Sequence, residues 1–180
     1  MSDELSFKAK RAILIFFAAW LAMVVAAPLI LPYGSVTDLS GRSGSIDNSD
    51  VIGQMDPFSS IMYSIGDVNC HQLAERSLFL NGNQMPFCAR DVGIFIGLVV
   101  GMAAVMVLSP RFSWPVLFIM AVPILVDGGV QLTGVWESNN ALRLITGIVG
   151  GAAASYFLGH MADRALSVRD SKKDRTENGL

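Results

Sequence analysis

Charge is scarce in this sequence. Of its 180 residues only 16% are Asp, Glu, Lys or Arg, against about 25% in an average soluble domain. The 13 basic side chains face 15 acidic ones, for a net charge of −2. That excludes the basic surface by which a protein holds nucleic acid. Cysteine is scarcer still, with Cys70 and Cys88 alone. Two thiols are too few for the disulfide framework of a small secreted fold, although one bridge stays open to them in an oxidising compartment.

What the chain has in quantity is apolar residues, 52% of the total, and they come in long runs. Residues 12–32 form the first. A run of about 20 apolar residues spans the 30 Å hydrocarbon core at 1.5 Å per residue. It is too long for the 7–15-residue apolar region of a signal peptide, the rival reading that Lys8, Lys10 and Arg11 in front of it and Ala26-Ala27 behind it support. Further runs at 92–108, 114–132 and 141–159 predict three more spans. The expected fold is therefore an all-α membrane protein, a bundle of about four transmembrane helices. Gly93, Gly97 and Gly101 recur at every fourth position, and Gly147, Gly150 and Gly151 sit in the last span. Such small residues let helix backbones approach closely in lipid.

Between the first and second spans lie two polar stretches. Residues 33–56, rich in Ser, Gly and Asp, read as a solvated, mobile loop. Asp56-Pro57 is a helix-start signal, and Phe58, Ile61, Met62 and Ile65 follow at helical spacing. Residues 57–80 thus predict an amphipathic, outward-facing helix that lies at the membrane surface or packs on the bundle, closed by the turn signal Asn81-Gly82-Asn83. The expected organisation is an N-terminal segment 1–11, a first span 12–32, a polar loop 33–56, a three-span core 57–159 with its Cys/His segment, and a basic tail 160–180 with a disordered end.

The few positive charges give the spans a direction. Lys8, Lys10 and Arg11 precede the first span, Arg111 joins the second to the third, and Arg164, Arg169, Lys172, Lys173 and Arg175 follow the fourth. By the positive-inside rule this side is cytoplasmic, which makes the chain a multi-pass cell-membrane protein with both termini inside. Cys70, His71, Cys88, Asp91 and Glu137 then lie outside. Asp127, Gln131 and Arg143 lie in the outer halves of their spans.

That convergence defines the candidate site. Cys70, His71, Cys88 and Asp91 offer sulfur, imidazole and carboxylate, the donor set of zinc or another transition metal. The alternatives are a Cys70–Cys88 disulfide, closing a loop worth about 3 kcal/mol in chain entropy, and two unpaired thiols. Asp127, an ionisable group costly to hold in hydrocarbon, needs a partner, and Arg143 on the next span is the expected one. With Glu137 these are the candidate catalytic residues. Arg76, Arg90, Gln131 and Asn140 are candidates to hold an anionic substrate group such as a lipid phosphate. The plainer reading pairs the arginines with Glu75, Asp91 and Asp127, and gives Ser138 or Asn139 only a helix cap.

The segments Cys70-His71-Gln72, Arg76-Ser77, Phe79, Cys88-Ala89-Arg90 and Gly93-Ile94-Phe95-Ile96-Gly97 resemble the signature of a family of small prokaryotic membrane proteins of unknown function. Asp127-Gly128, Gln131 and the stretch from Glu137 to Gly147 resemble its second half. The resemblance covers roughly 66–150. Some members carry a cysteine where this chain has Asp91, which implies metal binding. No activity comes with the resemblance. The expectation is a membrane enzyme acting on a lipid-like anionic substrate; a transporter, or an assembly protein with a structural disulfide, are the alternatives. The bilayer is the only partner indicated.

Overall fold

The computed structural model describes residues 2–42, 44–132 and 138–177, with side chains at 4–42, 44–131 and 138–168. Four of its helices are long and apolar enough to cross a membrane. They are α1 (Ser2–Ile30), α4 (Ala89–Leu108), α5 (Trp114–Leu132) and α6 (Asn140–Glu177). Between α1 and α4 come a single helical turn α2 (Ser49–Ile52), α3 (Pro57–Asn69) and a two-stranded antiparallel hairpin, β1 (Ser77–Leu80) and β2 (Asn83–Cys88). The chain is a mostly helical, multi-pass membrane protein.

α4 and α6 run side by side in the same direction, and their backbones touch. A Cβ added at Gly97 would lie 2.1 Å from the Ile148 carbonyl oxygen, and one at Gly151 would lie 2.2 Å from that of Ile94. The glycine faces read from sequence therefore meet each other. Lipid gives helices no hydrophobic reason to associate, so this contact rests on dispersion and on bonds such as that from the Ser155 hydroxyl to the Leu98 carbonyl, 2.7 Å. α1 runs the opposite way. At its start Ser6 donates to Asp163 of α6, and Lys10 sits 2.8 Å from the same carboxylate.

Three sequence expectations need correcting. The helix beginning at Pro57 stops at Asn69, well short of residue 80. Its start is as expected: the Asp56 carboxylate caps the amides of Phe58 and Ser59, and hydrogen bonds from Ser59 hold that carboxyl below its usual range. Beyond a 3₁₀ turn at Ala74–Arg76 the chain turns extended. Asn81 (φ 54°) and Gly82 (φ 69°) make the two-residue turn with two positive φ values that matches strand twist. The Asn-Gly signal was thus a hairpin and not the end of a helix.

Second, residues 33–56 are packed. Val36, Leu39 and Ile52 are buried with Tyr63, Met85 and Phe87 in the main apolar cluster, against which the half-buried Trp20 packs. Buried amides hold the segment down. Asn83 donates to the Pro28 and Pro32 carbonyls at the end of α1 (2.9 and 3.0 Å) and accepts from the Val36 amide (3.0 Å). Gln84 accepts from the Leu39 amide, 2.9 Å, and Asp67 from the amides of Asp47 and Asn48. These side chains satisfy helix-end carbonyls and loop amides that would otherwise be buried without partners. Third, the basic segment after residue 159 is not irregular at its start: α6 continues as helix to Glu177.

Replacing Gly97 with Leu should force α4 and α6 apart at a cost of about 1–3 kcal/mol or more, as overpacking does. Replacing Asn83 with Ala strands the Pro28 and Pro32 carbonyls and should cost about 1–3 kcal/mol. Reversible unfolding in mixed detergent micelles measures both, and an Asn83→Ala midpoint equal to wild type would refute the anchoring role given to that amide.

Candidate functional site

The α4–α6 contact sets the N-termini of both helices at the hairpin end of the bundle, where the α5 C-terminus also arrives. A cavity of about 290 Å³ opens there, with Cys70, His71, Gln72, Arg76, Cys88, Arg90, Gln131 and Arg143 among its lining residues. Sequence distances of up to 73 residues are closed at this one place, and most of the residues singled out above share it.

One wall carries sulfur. Cys70 caps the end of α3 and Cys88 stands directly before α4. Both are free thiols. The donor atoms of Cys70, Cys88 and Asp91 all lie within 4.8 Å of one another. Asp91 comes alongside as the one-turn spacing requires, and the Cys88 thiol donates to its Oδ2 at 3.1 Å. The hydrogen bond from Cys88 pulls the Cys70 thiol below its ordinary value. The Cys70 sulfur, burial and the charge of Asp91 push Cys88 well above its own. The Cys88 proton thus has two acceptors competing for it. Three acidic groups crowded at the positive end of α4 fit a cation that accepts sulfur and oxygen, and zinc sites use such donors. The set is consistent with transition-metal binding. His71 stands apart from this trio, exposed on the cavity rim.

The other wall is cationic. Asp127 is buried, and its partner is Arg90, not the expected Arg143. Arg90 donates to Asp127 Oδ2 through Nε at 3.1 Å and through Nη2 at 2.5 Å, and Nη2 also reaches Gln131 at 2.8 Å. Thr146 adds a hydroxyl to the same carboxylate oxygen, 3.3 Å. Arg90 stands in the first turn of α4, and its side chain reaches Asp127 and Gln131, one helical turn apart on α5. Arg143 is left 4% exposed with no ion pair among the described residues. Its Nη1 meets Asn140, 3.3 Å, and its Nε is buried with no hydrogen-bond partner among the described residues. Asn140 in turn donates to the Ser77 carbonyl, tying α6 to β1. Asn139 caps α6, accepting from the Leu142 amide at 2.8 Å. Arg76 lines the cavity beside Glu75, 3.9 Å away. Glu137 lies outside the described residues.

Sequence reasoning overlooked the supports. Gln72 is fully buried, holds a positive φ of 45°, and donates to the Pro86 carbonyl at 2.8 Å. It fixes the backbone beside Cys70 and His71 against the strand that ends in Cys88. A buried amide directly after Cys-His was the one available signal for this role.

Fold and site together define a polytopic membrane protein with a Cys/Cys/Asp cluster suited to a transition metal. The comparisons agree on the membrane class. A family described as predicted membrane protein (DUF2085) matches residues 70–157, and this chain belongs to it. An uncharacterized protein of Methanocaldococcus jannaschii is 35% identical over 105 residues, covering 56% of this chain and 67% of the relative. An uncharacterized protein of Methanothermobacter thermautotrophicus is 31% identical over 85 residues, covering 46% of this chain and 77% of the relative. No solved structure matches.

Asp127→Asn should cost about 3 kcal/mol of stability, because Arg90 is then left largely buried without its counter-charge. An Asp127→Leu/Arg90→Leu double variant should recover most of that loss. Equal unfolding midpoints for wild type and Asp127→Asn would show that the pair holds nothing together.

Proposed function

We propose that this protein is a membrane enzyme that binds a transition metal through Cys70, Cys88 and Asp91 and acts on a lipid-like substrate with an anionic headgroup. The observation that carries this reading is one cavity walled by the thiols on one side and by Arg76, Arg90 and Arg143 on the other. A purely structural cluster has no need of a buried arginine without an ion pair. Among the described residues Arg143 is such a group, and desolvating a cation without a counter-charge is costly unless an anion arrives to neutralise it.

In this reading Arg143 and Arg90 bind the anionic group, with their planar guanidinium forks matching phosphate oxygens. Asp127 and Gln131 hold Arg90 in position. Cys70, Cys88 and Asp91 would hold the metal, which would supply Lewis acidity there. His71 on the rim moves the proton; Glu137 is the second proton-carrying candidate. The orientation deduced from the basic residues puts both termini in the cytoplasm and this cavity on the outer face.

Elemental analysis of purified protein with a thiol count tests the metal. About one equivalent per chain is expected, falling to background in Cys88→Ser. A metal-free protein with an oxidised Cys70–Cys88 pair would sink the proposal. Inorganic phosphate titrated into the detergent-solubilised protein tests the anion. Arg143→Gln should weaken its binding by about tenfold or more, a loss of about 1.4 kcal/mol.

A further inference from the structure

The polar cavity has a neighbour. Between α5 and α6 lies an apolar groove of about 450 Å³, lined by Val122, Pro123, Val126 and Val130 of α5 and by Leu142 and Thr146 of α6. Asp127 closes it on the inner side. The helical period explains how one helix serves two spaces. On α5, positions 123, 126 and 130 share a face toward the groove, while Gly128 and Gln131 face the cavity. The partition between them is the Arg90–Asp127 pair, with Asp127 on the groove side and Arg90 on the cavity side.

The walls of the groove are open outward: Val122, Val126, Val130 and Leu142 are all exposed. They belong to helices that cross the membrane, so what surrounds them is hydrocarbon. An apolar groove there fits an acyl chain, and its position makes the fit specific. Its polar end abuts the pair whose arginine lines the anion-binding wall. A molecule with a charged head against Arg90 and Arg143 and a tail between α5 and α6 fills both spaces at once; a free phosphate fills only the first.

We propose that the α5–α6 groove binds an acyl chain of the substrate, so that the ligand is an anionic lipid reaching the site sideways from the bilayer and not a soluble anion from the aqueous side. This rests on the reading of the cavity as an anion site.

The test uses the full chain in phosphatidylcholine vesicles doped with phosphatidic acid that carries a photoreactive diazirine on its acyl chain. Cross-links should map to residues 122–130 and 142–146 and should be competed by unlabelled phosphatidic acid but not by phosphatidylcholine. Val126→Phe and Leu142→Phe, which fill the groove, should each cut the cross-link yield by about tenfold while phosphate binding in detergent stays at the wild-type level. Cross-links spread over the exposed faces of α1 and α4, or unaffected by competitor, overturn the groove assignment in the wild-type protein itself, whatever the variants do. Cross-links at these residues between two copies of the chain overturn it in favour of a self-association surface. Phosphate binding unchanged in Arg143→Gln would instead defeat the underlying anion site, an outcome distinct from failure of the groove.

Discussion

Direct backbone contact between α4 and α6 is the constraint from which the rest of the structure follows. Gly93, Gly97 and Gly101 lie against the α6 backbone around Leu144, Ile148 and Ala152, at separations that no side chain permits. Two helices held this closely and in the same direction must begin at the same level. Their first turns carry Cys88, Arg90, Asp91, Asn140 and Arg143, so one packing choice brings sulfur, carboxylate and two guanidinium groups to one end of the bundle. α5, the connecting span, must then return to that level, and it delivers Asp127 and Gln131 to Arg90.

The second constraint is the need to satisfy backbone groups where α1 ends. Proline at 28 and 32 interrupts the helical ladder and leaves carbonyls open. Asn81 and Asn83 at the hairpin turn supply the missing donors to Leu31, Pro28 and Pro32. The same hairpin accepts the loop at 33–56 through Gln84 and leads through β2 to Cys88. The polar cap over the membrane helices is therefore a support for the cysteines. Its amides work in pairs, with Gln84 Nε2 donating to the Gln72 carbonyl at 2.5 Å and Gln72 holding Pro86. A segment that composition describes as solvated is ordered because its polar side chains bond to each other and to backbone, an outcome that residue frequencies alone do not predict.

Charge is distributed with a difference that matters for chemistry. Arg90 is matched by Asp127, and that pair joins α4 to α5. Arg143 has no such match among the described residues, although it is the more buried. The first arrangement is architecture. The second leaves a guanidinium unmatched by any described carboxylate, in a small cavity that it shares with two thiols, one of which bonds the Asp91 carboxylate. The proposed metal and anion would each satisfy one side of the cavity.

The four spans were legible in the sequence because hydrocarbon imposes a length and a composition on any helix that crosses it, and the glycine faces because close helix approach in lipid needs small residues at a fixed period. The direction of the polar residues toward one end followed from alternation of spans. Tertiary structure decided what those local rules do not reach. The turn at Asn81-Gly82 became a hairpin because its flanking strands pair with each other, while periodicity over residues 57–69 said nothing of where the helix stops. Asp127 chose Arg90 over Arg143 because partner choice depends on how helices lie side by side, a three-dimensional fact invisible in spacing along one chain. Cys70, Cys88 and Asp91 converge, with His71 at the rim, because Gln72 sets the backbone between them. The sequence by itself determined that this chain lies in the membrane with its reactive side chains at one end; only the packing of α4 on α6 decided which of them face one another.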